Sequence, residues 1–124
     1  MRALTKRLAD QVEVDVDGDG STEGVGDQFI GAGPLFRGGE KAGSERHICT
    51  VVKSSRNGAL IRCEGTFNID DRGSLEVAGI LTFGPGGEAS TFAVTGGTAA
   101  FRGAVGTMAF GTTRNATKFT FKLR

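Results

Sequence analysis

Tryptophan and tyrosine are both missing from this sequence, so nine phenylalanines supply all of its aromatic surface. Proline occurs twice and no Gly-X-Y repeat is present, which excludes a collagen-like chain. No apolar run comes near the roughly 20 residues of a membrane-spanning helix, so no membrane partner is expected. Charge of one sign is not in excess: 15 Lys and Arg against 14 Asp and Glu leave a net charge of +1. That balance argues against nucleic acid as the main partner, because no basic surplus exists to displace counterions from a phosphate backbone. One His and two Cys are too few for a convincing zinc site. The first ten residues carry charge but lack the apolar stretch of a secretory leader. The expectation is a cytoplasmic protein if Met1 is the native start, and a secreted one if a leader has been trimmed.

Glycine is what the sequence has in plenty, 21 of 124 residues. Each glycine costs a helix interior about 1 kcal/mol relative to alanine, and few windows escape one. A length of 124 residues with 38% hydrophobic content fits one domain, residues 1–124, with one core. Residues 11–17 alternate strictly, with Val12, Val14 and Val16 on one face and Glu13, Asp15 and Asp17 on the other. That is a strand, starting as early as Leu4. Further strands are expected over residues 28–36, 45–53, 59–69, 74–83, 90–95, 104–112 and 117–123, with roughly one Phe each. Turns fall at 37–41, Arg56-Asn57-Gly58, Asp70-Asp71-Arg72-Gly73, Gly84-Pro85-Gly86-Gly87 and Arg114-Asn115-Ala116. Gly31, Gly33 and Gly79 are expected bulges. About eight short strands in a meander point to an all-β, eight-stranded antiparallel up-and-down β-barrel, which leaves no sheet edge open.

Four segments in register carry a family resemblance. The run from Phe92 through Thr95-Gly96-Gly97-Thr98 to Phe101-Arg102-Gly103 and Gly106 resembles the signature of the allene oxide cyclase and dirigent superfamily. Gly26-Asp27 followed by Leu35-Phe36 is similar to its G-D…L-Y/F segment. Ala42-Gly43 followed by Cys49 is similar to its V-G…C segment, and residues 73–79 to its D-G-x-(I/L)-x-x-x-G strand. Ala99 stands where the signature has a glycine, and the pocket tyrosines common in the family are absent, so the plant cyclase activity is not expected. The resemblance implies an eight-stranded barrel with a lumen for a hydrophobic small molecule, and a homodimer or homotrimer. Bacterial relatives of this shape, such as the spirotetronate cyclases, imply a place in natural-product biosynthesis.

Candidate chemistry follows from residues that share a strand face. Glu13 and Asp15 lie two apart. Facing inward they would be two carboxylates in one apolar lumen, where repulsion and desolvation raise at least one pKa and give a general acid or base. Facing outward they would be solvated, with the valines inside. His47 and Cys49 share a face, and His47 is the sequence's one group that titrates near neutrality unperturbed. Glu13, Asp15 and His47 are therefore the candidate catalytic residues. Cys49, Phe67, Phe92, Phe101 and Arg102 are the candidate substrate contacts, with Arg102 aimed at a ligand oxygen or paired to an acid such as Glu88. Cys49 and Cys63 sit symmetrically about Arg56, either as two buried thiols or as a bridge, according to compartment. Asp15-Val-Asp17-Gly-Asp19-Gly20 mimics the start of a calcium loop, but its twelfth position falls on Gly26, so no metal is expected. Gly96-Gly97 is read as a tight turn with positive φ rather than a phosphate loop.

The expected function is a cofactor-free cyclase or isomerase that holds a flexible apolar precursor in a reactive conformation. The alternative is a non-catalytic, dirigent-like barrel that carries or steers a hydrophobic ligand.

Overall fold

The computed structural model describes residues 4–7, 11–14, 24–56, 58–83, 91–112 and 116–124. Within them lie nine strands: β1 (Leu4–Arg7), β2 (Gln11–Val14), β3 (Gln28–Arg37), β4 (Glu40–Ser55), β5 (Gly58–Ile69), β6 (Gly73–Phe83), β7 (Thr91–Gly97), β8 (Gly106–Thr112) and β9 (Ala116–Leu123). A 3-10 turn, Ala99–Phe101, follows β7. All pairings are antiparallel, and β3 to β9 form an unbroken meander. β1 pairs with β9 on one side and meets β3 on the other through Thr5 and Phe36. β2 pairs with the opposite end of β3. β1 and β2 are thus two pieces of one stave, and the nine segments make the expected eight-stave ring.

Period-two patterning sets what faces inward. On β5, Ile61, Cys63, Gly65, Phe67 and Ile69 are buried and alternate with Arg62, Glu64, Thr66 and Asn68. The core is a chain of edge-to-face rings: Phe67 lies 4.9 Å from Phe119 and 5.0 Å from Phe121, and Phe92 lies 5.5 Å from Phe110. Such edge contacts put the positive rim of one ring on the negative face of the next.

Turns follow the local chemistry. β4 begins earlier than expected because Arg37 pairs with Glu40 around Gly38-Gly39, at φ +60° and +85°. Two positive φ values in succession suit the two-residue hairpin turn that matches strand twist. Asp71 takes φ +63° in the β5–β6 turn, closed by the Arg72 N–H donating to the Ile69 carbonyl. Gly26 adopts φ +94° and donates to the Val51 carbonyl, while the buried Asp27 carboxylate accepts from the Gly24 N–H. This pins the entry of β3 to β4.

The bulges fall elsewhere than expected. Gly31, Gly33 and Gly79 are all in register. Shifts occur instead at Leu35/Phe36, Val51/Lys53 and Glu76/Val77. Gly79 is small because a ring needs the space: a Cβ there would come within 2.6 Å of Phe92 Cδ1. Gly96 and Gly97 do not take positive φ either. Gly97 is required because a Cβ would strike the Phe101 carbonyl. The left-handed residue of this turn is Ala99, at φ +51°. Thr98 docks the turn on β6, its Oγ1 accepting from the Ser74 N–H at 3.0 Å and bonding the Ser74 hydroxyl at 2.8 Å. An L-residue in this conformation is strained by its Cβ. Ala99→Gly is therefore expected to raise stability by about 0.5–1 kcal/mol, measured as a higher urea midpoint with unchanged slope.

Candidate active site

A partly open cavity of about 210 Å³ lies among β4 to β9. Its walls are mainly apolar, with Phe67, Phe92, Phe110 and Phe119 among them. Two of its polar lining residues come from β4. Glu45 and His47 point the same way because they are two apart on one strand. Glu45 is only 2% exposed, and its Oε1 lies 2.6 Å from His47 Nδ1. An ionised carboxylate accepts and cannot donate. When Glu45 is ionised, the contact holds the imidazole hydrogen on Nδ1.

The neighbouring strands are shaped around this pair. The residues directly across from His47 are Gly31 on β3 and Gly65 on β5, and Glu45 is flanked by Gly33 and Phe67. Three of the four flanking positions carry no side chain. Two of the three glycines expected to be bulges, Gly31 and Gly33, thus sit directly across from this pair, while Gly79 faces Cys63.

Cys49 and Cys63, direct partners in the β4–β5 ladder, form a disulfide with Cα atoms 4.0 Å apart. It forms the cavity wall two residues beyond His47. The pairing selects the bridge over two separate thiols. Closing a hairpin of this length restricts the unfolded chain by about 3 kcal/mol in the loop-entropy account.

The other sequence candidates divide. His47, Cys49, Phe67 and Phe92 meet at the cavity. Phe101 is buried outside its lining, in the 3-10 turn, with the Arg72 guanidinium 5.1 Å from its ring centroid. Arg102 is exposed, also outside the lining. Glu13 pairs with Phe29, which pairs with Cys49, which pairs with Cys63. The side chain of Glu13, and all of Asp15, Glu88 and the calcium-like segment 15–20, lie outside the described residues. Among the described residues no group of three or more His, Cys, Asp or Glu could hold a metal ion, and no helix is long and apolar enough to cross a membrane. Sequence reasoning paired His47 with Cys49 and missed Glu45, although the same i, i+2 rule connects Glu45 to His47. It also missed Thr117, a cavity residue on β9.

This is an antiparallel barrel with a phenylalanine-lined lumen and a carboxylate–imidazole pair in its wall. Solved structures share its shape. A pyocyanin demethylase superposes with a TM-score of 0.74 at 20% identity, covering 97% of this chain and 98% of its own. One pterocarpan synthase dirigent protein gives 0.68 at 18% identity over 99% of this chain and 90% of its own. A second gives 0.67 at 14% identity over 98% and 84%. No family model and no curated protein matches the sequence. The fold is that of the allene oxide cyclase and dirigent-like barrels.

Proposed function

We propose that this chain is a single-domain, cofactor-free enzyme that moves a proton on a compact apolar molecule, as an isomerase or cyclase does. The observation that carries the reading is the Glu45–His47 pair in the wall of an otherwise apolar cavity. A buried carboxylate is costly unless partnered. Here its partner is an imidazole, whose ring nitrogens can both accept and donate a proton. His47 Nε2 takes a proton from one atom of the ligand and returns it to another, while Glu45 stabilises the transient imidazolium. The phenylalanines hold the ligand in a reactive shape, and no net atoms are gained or lost. The names of the structural neighbours support a small organic ligand, since one acts on pyocyanin and two make pterocarpans.

The same reading includes a homodimer or homotrimer, supported by Ile30 and Ile48. These pair across β3 and β4 and are exposed, at 40% and 38%. The disulfide supports an oxidising compartment.

The test is genetic and then chemical. Metabolites are compared between a strain lacking the protein and strains carrying the wild type or His47→Ala. One compound should accumulate in the deletion and His47→Ala strains and clear with the wild type. Purified protein should convert it to an isomer of equal mass, with solvent deuterium entering the product in D2O. A His47→Ala strain with the wild-type profile sinks the reading. A compound bound and returned unchanged favours the steering barrel instead.

A further inference from the structure

Arg37 ends β3 with a charge that its surroundings do not match. Its Nε and Nη2 are closed to solvent, and neither has a hydrogen-bond partner among the described residues. The ladder sets Glu40 directly opposite, but Glu40 is exposed and does not reach these two nitrogens. A guanidinium stays protonated in proteins, so it cannot relieve its burial by becoming neutral. A buried charge without a partner is costly, and an unbranched apolar side chain of similar length would avoid that cost. Nε–H and Nη2–H lie along one edge of the planar fork, the edge that meets both oxygens of a carboxylate.

The place of Arg37 in the fold separates it from the cavity already described. Arg37 lies two residues beyond the fully buried Leu35, and Gly33, two residues before Leu35, lies across from Glu45. Leu35 therefore stands on β3 between Arg37 and the Glu45–His47 pair, and Arg37 is outside the lining of their cavity. The meander brings the Gly38-Gly39 turn, the β5–β6 turn, the 3-10 turn and the end of β9 to one end of the barrel. The β5–β6 turn docks on β4 there, the Asp70 N–H donating to the Ala42 carbonyl. Besides Arg37, this end carries the cationic side chains of Lys41, Arg72, Arg102, Lys122 and Arg124, against the acids Glu40, Asp70 and Asp71. A local excess of positive charge draws anions towards it. Arg37 as a whole is half-buried and ends its strand, so a small shift of its long side chain admits a ligand from the turn side.

We propose that Arg37 anchors a small organic carboxylate at a second site, separate from the Glu45–His47 cavity. Nε–H and Nη2–H each donate to one carboxylate oxygen, and the surrounding cations steer the anion in. This inference does not depend on the proton-transfer reading above.

The experiment uses benzoate and benzamide, which share one ring and nearly one shape and differ in charge. Affinity is read by isothermal titration calorimetry on the intact protein at low salt. Wild type should prefer benzoate by about ten- to hundredfold, the range that charge-assisted hydrogen bonding supplies. His47→Ala should keep the preference, because Leu35 separates the two sites. Arg37→Met should lose it. Without ligand, the Tm of Arg37→Met should equal or exceed that of wild type, because no protein hydrogen bond is broken and a buried charge is removed. A Tm several degrees lower overturns the proposal, since the guanidinium would then be held by the chain itself. A preference that survives Arg37→Met, or one that disappears in His47→Ala, also overturns it by placing the anion elsewhere. Wild type that binds benzoate no better than benzamide overturns it too, and leaves the cavity reading untouched.

Discussion

His47→Ala is expected to lower turnover by about 10²–10⁴-fold, the usual contribution of a positioned acid–base group. Ligand affinity should change far less, because most of the cavity surface is aromatic and stays in place. Glu45→Gln should cost nearly as much, for a different reason. Its amide can present either oxygen or NH2 to Nδ1. When NH2 faces the ring, the imidazole hydrogen moves to Nε2 and the base is lost, and in either orientation the imidazolium loses its counter-charge. The double variant should be no slower than either single one, since the two side chains act as a unit. The measurement is kcat and KM for each variant, with circular dichroism confirming the fold. Glu45→Gln at wild-type kcat would leave Glu45 a structural role only.

Phe67→Ala is expected to destabilise the barrel by about 3–5 kcal/mol. Phe67 is 1% exposed and makes edge contacts with Phe119 and Phe121, so one ring joins β5 to β9 across the lumen. Removing it leaves a void next to a cavity that already exists, and strands pinned in register have little freedom to collapse into it. Against a total stability of about 5–15 kcal/mol, the loss is a large fraction. It should appear as a fall on the order of 10–20 °C in Tm, without a change in denaturant slope. Phe110→Ala should be milder, because Phe110 is only partly buried. If the two variants melt together, the ring chain is not the organising element of the core.

Period-two alternation showed the strands because each has one face in the core. It gave β5 almost to the residue, since Ala59 to Ile69 lies between two turns with clear chemistry. It shortened β4 to residues 45–53, whereas the strand runs from Glu40 to Ser55. Gly43 is glycine because a Cβ there would strike the Asn68 carbonyl on β5. The bulges were misplaced. Glycine marks a need for space or for left-handed backbone, and one sequence does not say which.

The candidate site was legible by half. His47, Cys49, Phe67 and Phe92 were found because unusual or bulky side chains on strand faces draw attention. Glu45 was passed over because a charged residue near a strand end normally faces water. Thr117 was passed over because a threonine in a strand is ordinary.

By itself the sequence determined an all-β chain and its approximate staves, because these depend on local propensity, patterning and turn chemistry. Only the tertiary structure decided that Cys49 meets Cys63 and that Glu45 is buried against His47. It alone placed Thr117 in the same cavity and left Arg102 at the surface. Those facts depend on register, and a strand shifted by one residue turns every side chain to the other face. Pairing with neighbours distant in sequence settles that choice, and no local pattern encodes it.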